Sequence, residues 1–481
     1  MADAVIIGSG PNGLAAGIRL ASAGVKVLIL EAHEKIGGGT RTADLTLKGF
    51  HHDVCSSVHP MGVVSPYFKK LPLDKHGLEW IFPEASVAHP LNGRPAALLT
   101  RSLEETAARL GIDGERYTKT LRPFVCCAEE LIAGALSPTK FPRHPILMAR
   151  FGLEAIRTAE SLASRFRTEE AKALIAGCAA HSILPLDKSL TAAVALIFMI
   201  TGHMQNWAVA KGGSQSIAKA LASYFRSLGG EIRTGHRVAS AADLPPARAY
   251  LFDTSPNLLA EGFADVLPAS YVARLNKFRY GPGVFKVDYA LKRCIPWRDA
   301  NILKASTVHI GGTMAEIAAA EKAVWSGKHP QKPFVLLTQQ SEFDASRAPK
   351  GKHTLWAYCH VPNASMIDMS AAIEAQIERF APGFGDTILR RHSMHAGDFA
   401  AYNANYVGGA ITGGVSDLAQ FLTRPVARLN PYTTPNNRIF LCSASTPPGG
   451  GVHGMCGFNA AETVLARIGK LSVSPPQSLR S

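Results

Sequence analysis

Charged residues are scarce in this chain of 481: 18% are Asp, Glu, Lys or Arg, against 47% hydrophobic. Disorder as the dominant state is thereby excluded, because such chains need low hydrophobicity. The 43 glycines follow no fixed period, which excludes a collagen-like fibre. None of the eight cysteines (Cys55, Cys126, Cys127, Cys178, Cys294, Cys359, Cys442, Cys456) forms a Cys-x-x-Cys pair, so neither a zinc ribbon nor a dithiol redox centre is indicated. Their scattered, mostly apolar contexts fit reduced, buried thiols in a cytosol-like compartment. The opening Met-Ala-Asp has no basic segment and no cleavable apolar run, so no secretory signal is read and a cytoplasmic location is expected. One uncharged stretch, Ser189 to Ala210, has an apolar core from Leu190 to Gly202, short of the ~20 residues that cross a bilayer. A buried helix is expected there, with an interfacial segment as the alternative. There is no His-Glu-x-x-His, no clustered metal ligands and no Ser-His-Asp order, so no metal is expected. With no zinc finger, no RNP-like strand and no dense Lys/Arg tract, no nucleic-acid partner is expected either.

What is present begins with size and charge. The chain exceeds the length at which single cores usually stop growing, so two lobes are expected. With 51 Lys+Arg against 37 Asp+Glu, the formal charge is +14, which favours an anionic partner surface. The first 31 residues read as strand, helix, strand: Ala4 to Gly8, Leu14 to Ala23, then Val25 to Leu30. From Leu71 to Ile200 the pattern turns helical, with examples at Leu103 to Leu110, Pro123 to Ala135 and Ile146 to Arg167. A helix from Ile217 to Leu228 stops at Gly229-Gly230. Strands are expected at Gly283 to Leu291, Pro333 to Thr338 and Thr354 to His360, followed by a helix from Ser370 to Phe380. The tail from Ser472 is polar and expected to fray.

Gly8-Ser9-Gly10-Pro11-Asn12-Gly13 falls between the first strand and its helix, where the pattern carries weight. Gly8 permits a tight turn, Gly10 lets backbone approach a pyrophosphate, and Gly13 lets the helix pack on the sheet. Amides at the helix N-terminus then face the diphosphate. Glu31, ending the second strand before Ala32, is placed to accept from ribose hydroxyls. The segment Gly37-Gly38-Gly39-Thr40-Arg41 follows; its glycines allow close passage over the diphosphate, and Arg41 can neutralise it.

This Gly-Gly pair and arginine after the acidic strand end resemble the motif of FAD-dependent oxidoreductases of the amine oxidase and phytoene desaturase type. The resemblance extends through Phe50 to Pro60, Gly212-Gly213-Ser214, Asp253-Thr254-Ser255-Pro256 and Leu441 to Gly454. It is closest to proteins labelled phytoene-dehydrogenase-related, or pyridine-nucleotide-disulfide-oxidoreductase-domain proteins. It implies FAD as cofactor and an α/β fold: a discontinuous Rossmann-like FAD-binding domain (1–70, 205–262, 425–481) with a substrate domain of antiparallel sheet plus helices (71–204, 263–424). It further implies that Val238 supplies backbone to adenine, and that Ser443, Gly451, Val452, His453, Gly454 and Met455 close over the flavin. Two departures stand out: Ser443-Ala444-Ser445-Thr446 replaces the family's Gly-Ala-Gly-Thr, and the hairpin between Val238 and Tyr250 is shortened.

His453 is a candidate catalytic group, or a cap of the following helix; His59 is another, with a structural role as the alternative. His181 and His203 flank the apolar helix; they read first as satisfied core histidines, with a place in a cavity as the alternative. No second nucleotide fingerprint is present, so flavin reduction is expected from a small lipophilic substrate, with oxygen or a quinone as acceptor. A redox-neutral isomerase, an amine oxidase and a non-catalytic flavin-bearing scaffold are the alternatives. Arg143, Arg150 and Arg157 recur every seven residues, within ~40° on one helix face. With Ile146, Leu147, Phe151, Leu153 and Ile156 they form a basic, apolar segment suited to peripheral contact with the inner membrane; a solvated basic face is the alternative. The sequence sets no oligomeric state.

Overall fold

In the computed structural model, which describes residues 2–137, 141–421 and 423–470, the strand Ala4–Ile7 is the centre of a five-stranded sheet. All four of its residues are buried, as a strand covered on both faces requires. Across the sheet the order is Ile439–Leu441, Ala249–Phe252, Ala4–Ile7, Val27–Leu30 and Glu231–Arg233, every pair parallel. The helix Pro11–Ala21 lies on one face beside Gln215–Ser227 and Met455–Leu465. It approaches the last of these so closely that a Cβ on Gly457 would fall 1.8 Å from the Asn12 carbonyl. On the opposite face the helices Pro256–Gly262 and Ala269–Leu275 bring Leu259, Phe263 and Tyr271 against Leu28 and Leu30.

The second sheet has seven strands in the order Ile388–Met394, Gly283–Leu291, His353–Val361, Val335–Thr338, Ala305–Ile310, Ala85–Leu91 and Arg94–Thr100. Its neighbours are antiparallel except Ala305–Ile310 beside Ala85–Leu91. Alternation along His353–Val361 sends Leu355, Ala357, Cys359 and Val361 to one core, with Ile373, Ile377 and Phe380 of the helix Ser370–Phe380. Trp356 and Tyr358 point the other way, into a core roofed by helices between Leu103 and Met204.

Several expectations need correction. Within the stretch read as helical, 85–100 is a β-hairpin; its alanine-rich strands hide the pattern, while Asn92-Gly93 at the turn, with Gly93 at φ +66°, is a recognised hairpin signal. The strands Ala305–Ile310 and Ile388–Met394 were also not expected. Ile146 to Arg167 is not one helix: Pro145–Ala155 ends, and Thr158 caps a new helix, Ala159–Ala163, by accepting from the Ser161 amide. Arg143 therefore precedes the first helix and Arg157 follows it. Pro123 to Ala135 is likewise divided, between Gly114–Val125 and Ala128–Ala135. Among the thiols Cys126 is exposed, unlike the buried Cys55, Cys178, Cys359, Cys442 and Cys456. The apolar helix, Thr191–Met204, is packed in the core, and among the described residues no helix is long and apolar enough to cross a membrane. The tail from Ser472 lies outside the described residues.

Candidate functional site

The glycine turn sits at the carboxyl end of the central strand, where ligands bind in open parallel sheets. Gly8 takes φ +102°, and a Cβ there would lie 2.8 Å from the Asp253 carbonyl. A Cβ on Gly13 would lie 2.1 Å from the Gly8 carbonyl, so the helix can dock only without a side chain. At Gly10 the nearest atom is the Asp253 carboxylate, 2.6 Å from a built Cβ. Pro11 opens the helix, where its missing N–H is no loss. Glu31 is buried and locks the turn: one carboxylate oxygen accepts from the Ser9 amide at 2.9 Å and the Ser9 hydroxyl at 2.5 Å, the other from the His33 amide at 2.9 Å. Ala32, next along, is exposed. Val238 is buried beside Leu28 and Leu30, and the His236 amide donates to the Glu31 carbonyl at 2.8 Å.

The second glycine segment crosses directly over the first. The Gly37 amide donates to the Ser9 carbonyl at 3.1 Å, and a Cβ on Gly38 would be 3.2 Å from Gly10 Cα. Tyr406 reaches Gly39, where a Cβ would meet its hydroxyl at 2.1 Å; Thr40 is buried and its hydroxyl donates to the Gly37 carbonyl at 2.8 Å. Arg41 is buried between three partners: its guanidinium donates to the Lys35 carbonyl at 3.0 Å, the Glu31 carboxylate at 3.3 Å and the Tyr402 carbonyl at 3.4 Å. It also lies 5.3 Å over the Tyr402 ring.

A third loop, from Ser443 to Gly454, closes the cradle ahead of the helix Met455–Leu465. Ser443 is buried and accepts from the Ser445 amide. Gly451 takes φ +130°, Gly454 +69°, and Val452 +56°. Val452 is a β-branched residue in the left-handed region, a strain of about 1–3 kcal/mol that persists only where the surroundings impose it. His453 accepts the Met455 amide on Nδ1 at 3.0 Å, which is the capping role, and burial lowers its pKa to about 4. His59 is equally buried, its pKa also lowered to about 4 by desolvation; Nε2 meets the Ser214 hydroxyl at 2.8 Å and Nδ1 the Ser56 hydroxyl at 3.4 Å. Both histidines therefore spend ring nitrogens on holding loops together. His203 is a satisfied core histidine, between the Tyr117 hydroxyl at 2.8 Å and the Arg101 carbonyl at 3.3 Å. His181 Nε2 faces His309 Nε2 at 2.9 Å.

Sequence reasoning assigned no role to Asp253, yet its carboxylate accepts the Gly13 amide at 2.8 Å. Burial, with Glu31 adding to it, pushes this carboxyl well above its ordinary range, against the pull of the backbone amides it accepts. Also unforeseen is a buried polar cluster around the short strand His51–Asp53. Asp53 pairs with Arg347 at 2.8 Å and accepts the Ser214 amide at 2.8 Å and the Thr42 hydroxyl at 2.9 Å. Burial opposes its ionisation, but Arg347 and these donors hold the carboxyl below its usual value. Beside it, Lys286 pairs with Asp288, and His52 stands 3.6 Å from the same carboxylate. The signal was there to read: Lys286 and Asp288 are two charges, two apart, inside an otherwise apolar strand.

These parts fit an extended dinucleotide. Two glycine segments meet with no side chain between them, and the polar atoms bordering them, Asn12 Oδ1, Thr254 Oγ1 and Gln215 Oε1, are buried without a hydrogen-bond partner. Residues 6–71 match the NAD(P)-binding Rossmann-like domain family. The architecture is that of the FAD-dependent oxidoreductases: a solved structure of putrescine oxidase superimposes with a TM-score of 0.63, covering 97% of this chain and 99% of that one at 18% identity. Along the whole sequence, the chain is 24% identical to the mouse pyridine nucleotide-disulfide oxidoreductase domain-containing protein 2, covering 96% of this chain and 93% of that protein. It is 21% identical to one of the polypeptides of limonene dehydrogenase from Castellaniella defragrans, covering 97% of this chain and 95% of that one.

Proposed function

We propose that the chain is a FAD-dependent oxidoreductase, a dehydrogenase or desaturase that removes hydride from a small lipophilic substrate. The observation that carries this reading is the crossing of the Gly37–Thr40 loop over the Gly10 turn, with Glu31 fixed to Ser9 beneath it. Gly10 keeps the approach to the helix N-terminus clear of a side chain, Glu31 stands where ribose hydroxyls are received, and Ser443 to Gly454 would cover the flavin. The helix Met455–Leu465 directs its positive end at that loop and favours negative charge there. The chemistry FAD supplies when bound is two-electron acceptance, hydride from a substrate C–H bond, with oxygen or a quinone as final acceptor.

The substrate side supports an apolar ligand. Trp356, Tyr358, Phe334 and Leu336 form the sheet face under the helical roof, joined by Phe198 and Trp207. A relative named for limonene dehydrogenation is in keeping with a hydrocarbon-like substrate. Lys286 lies 5.8 Å from the Trp356 ring, bringing a buried cation to the edge of this region. The test is anaerobic mixing of the flavin-loaded protein with terpenoid alkenes and, separately, with primary amines. Bleaching of the flavin band by an alkene supports the reading; bleaching by amines alone overturns the substrate class.

A further inference from the structure

The helix Pro145–Ala155 turns its large apolar residues outward. At about 100° per residue, Ile146 and Leu153 fall about 20° apart, and Arg150 about 40° from Ile146. Phe151 and Ala155, the residues it buries, lie on the opposite side. Ile146 is 84% exposed and Leu153 71%, flanked by Phe141 at 85% and Ile156 at 51%. Single exposed apolar residues are ordinary, but a contiguous group of this kind marks an interaction surface. Arg150 shares the face, and Arg143 and Arg157 flank the two ends of the helix. Arg143, Arg150 and Arg157 are exposed, and among the described residues Arg143 and Arg150 enter no ion pair. Arg157 shares Glu154 with Arg165, at 3.4 and 2.8 Å. On its inner side the helix is anchored through Leu147 and Met148 onto the helical core, so the outward residues are held rigidly.

We propose that this face docks on a bilayer containing anionic lipid, with Phe141, Ile146, Leu153 and Ile156 among the acyl chains and Arg143 and Arg150 at the phosphates. The charge argues for this occupant. Across a two-fold contact between copies, the arginines of one would meet those of the other, whereas a phosphate layer neutralises them. The net charge of +14 has the same sense. This docking goes beyond the proposed activity and does not rest on it.

The test is co-sedimentation of the full chain with vesicles of phosphatidylcholine alone and of phosphatidylcholine with phosphatidylglycerol. Binding is expected only to the second, weakening with salt. The double substitution Ile146→Ser with Leu153→Ser should reduce it by about 100-fold, and Arg143→Gln with Arg150→Gln by about 20-fold. Ile367→Ser, at an exposed apolar site elsewhere (54% exposed), should leave it unchanged. Because all these side chains are exposed, melting temperatures should match the unsubstituted chain and exclude misfolding as the cause. Equal binding by the Ile146/Leu153 variant, equal binding to phosphatidylcholine alone, or a vesicle-free dimer that this variant converts to monomer would each overturn the proposal.

Discussion

The inner strands of both sheets are buried, but they bury different things. In the parallel sheet Ala4–Ile7 and Val27–Leu30, like the edge strand Ile439–Leu441, are wholly apolar, and Ala249–Phe252 adds only a tyrosine. Its polar work is done just past the strand ends, by Glu31, Asp253 and backbone amides of the glycine turns. The seven-stranded sheet carries polar groups on the strands themselves: Lys286, Asp288, His309, His360 and Thr338 are all buried. The contrast separates a site made of backbone, which accepts one kind of cofactor, from a site made of side chains, which can be altered one residue at a time. It explains why one fold hosts many reactions.

The sharpest way to break this comparison is to put a side chain where only backbone fits. Gly13→Val places a Cβ against the Gly8 carbonyl, which cannot yield, and should cost about 4 kcal/mol or more, read as a collapse in melting temperature. Gly10→Val is the contrasting case. Gly10 has an ordinary φ of −67°, and its nearest neighbour is a movable carboxylate, so the fold should survive while dinucleotide binding is lost. Next in size is the buried Asp53–Arg347 pair: Arg347→Ala leaves Asp53 buried without its cation and should cost about 3–5 kcal/mol in denaturant unfolding.

Acid should act on both regions at once. His52, His59, His89, His203 and His453 are each lowered to about 4, with burial the leading cause. The unfolded chain binds these protons near 6.5 and the folded chain only near 4, so stability is full above 6.5 and falls as pH drops through that window. Each histidine contributes a slope of up to about 1.4 kcal/mol per pH unit. Melting temperatures that stay flat from pH 7 to pH 5 would contradict this. The smallest expected effect is Thr313→Ala, which removes the capping box of the helix Met314–Trp325 and should cost about 1 kcal/mol without touching cofactor content.

The same contrast governs what the sequence discloses. The glycine turn, Glu31 and the closing loop are legible because a backbone site needs particular residues at fixed spacing. Ser370–Phe380 is legible because its apolar residues repeat at helical spacing. The hairpin at 85–100 is legible only at its Asn92-Gly93 turn, since alanines carry little strand preference and the strand that pairs with its outer edge is over 200 residues away. The Asp53–Arg347 pair is not legible, its members being 294 apart in sequence. His453 and His59 are legible as histidines near the site, but only their partners, the Met455 amide and the Ser214 hydroxyl, show them holding loops.

The most direct test of the central claim is the cofactor content of the purified full chain, by visible spectrum and by chromatography of what denaturation releases. The account predicts a flavin band near about 450 nm, equimolar FAD in the released fraction, and loss of both in Gly10→Val with the melting transition retained. A colourless protein that cannot be reconstituted with FAD, or a Gly10→Val variant that binds FAD as the unsubstituted chain does, would contradict it.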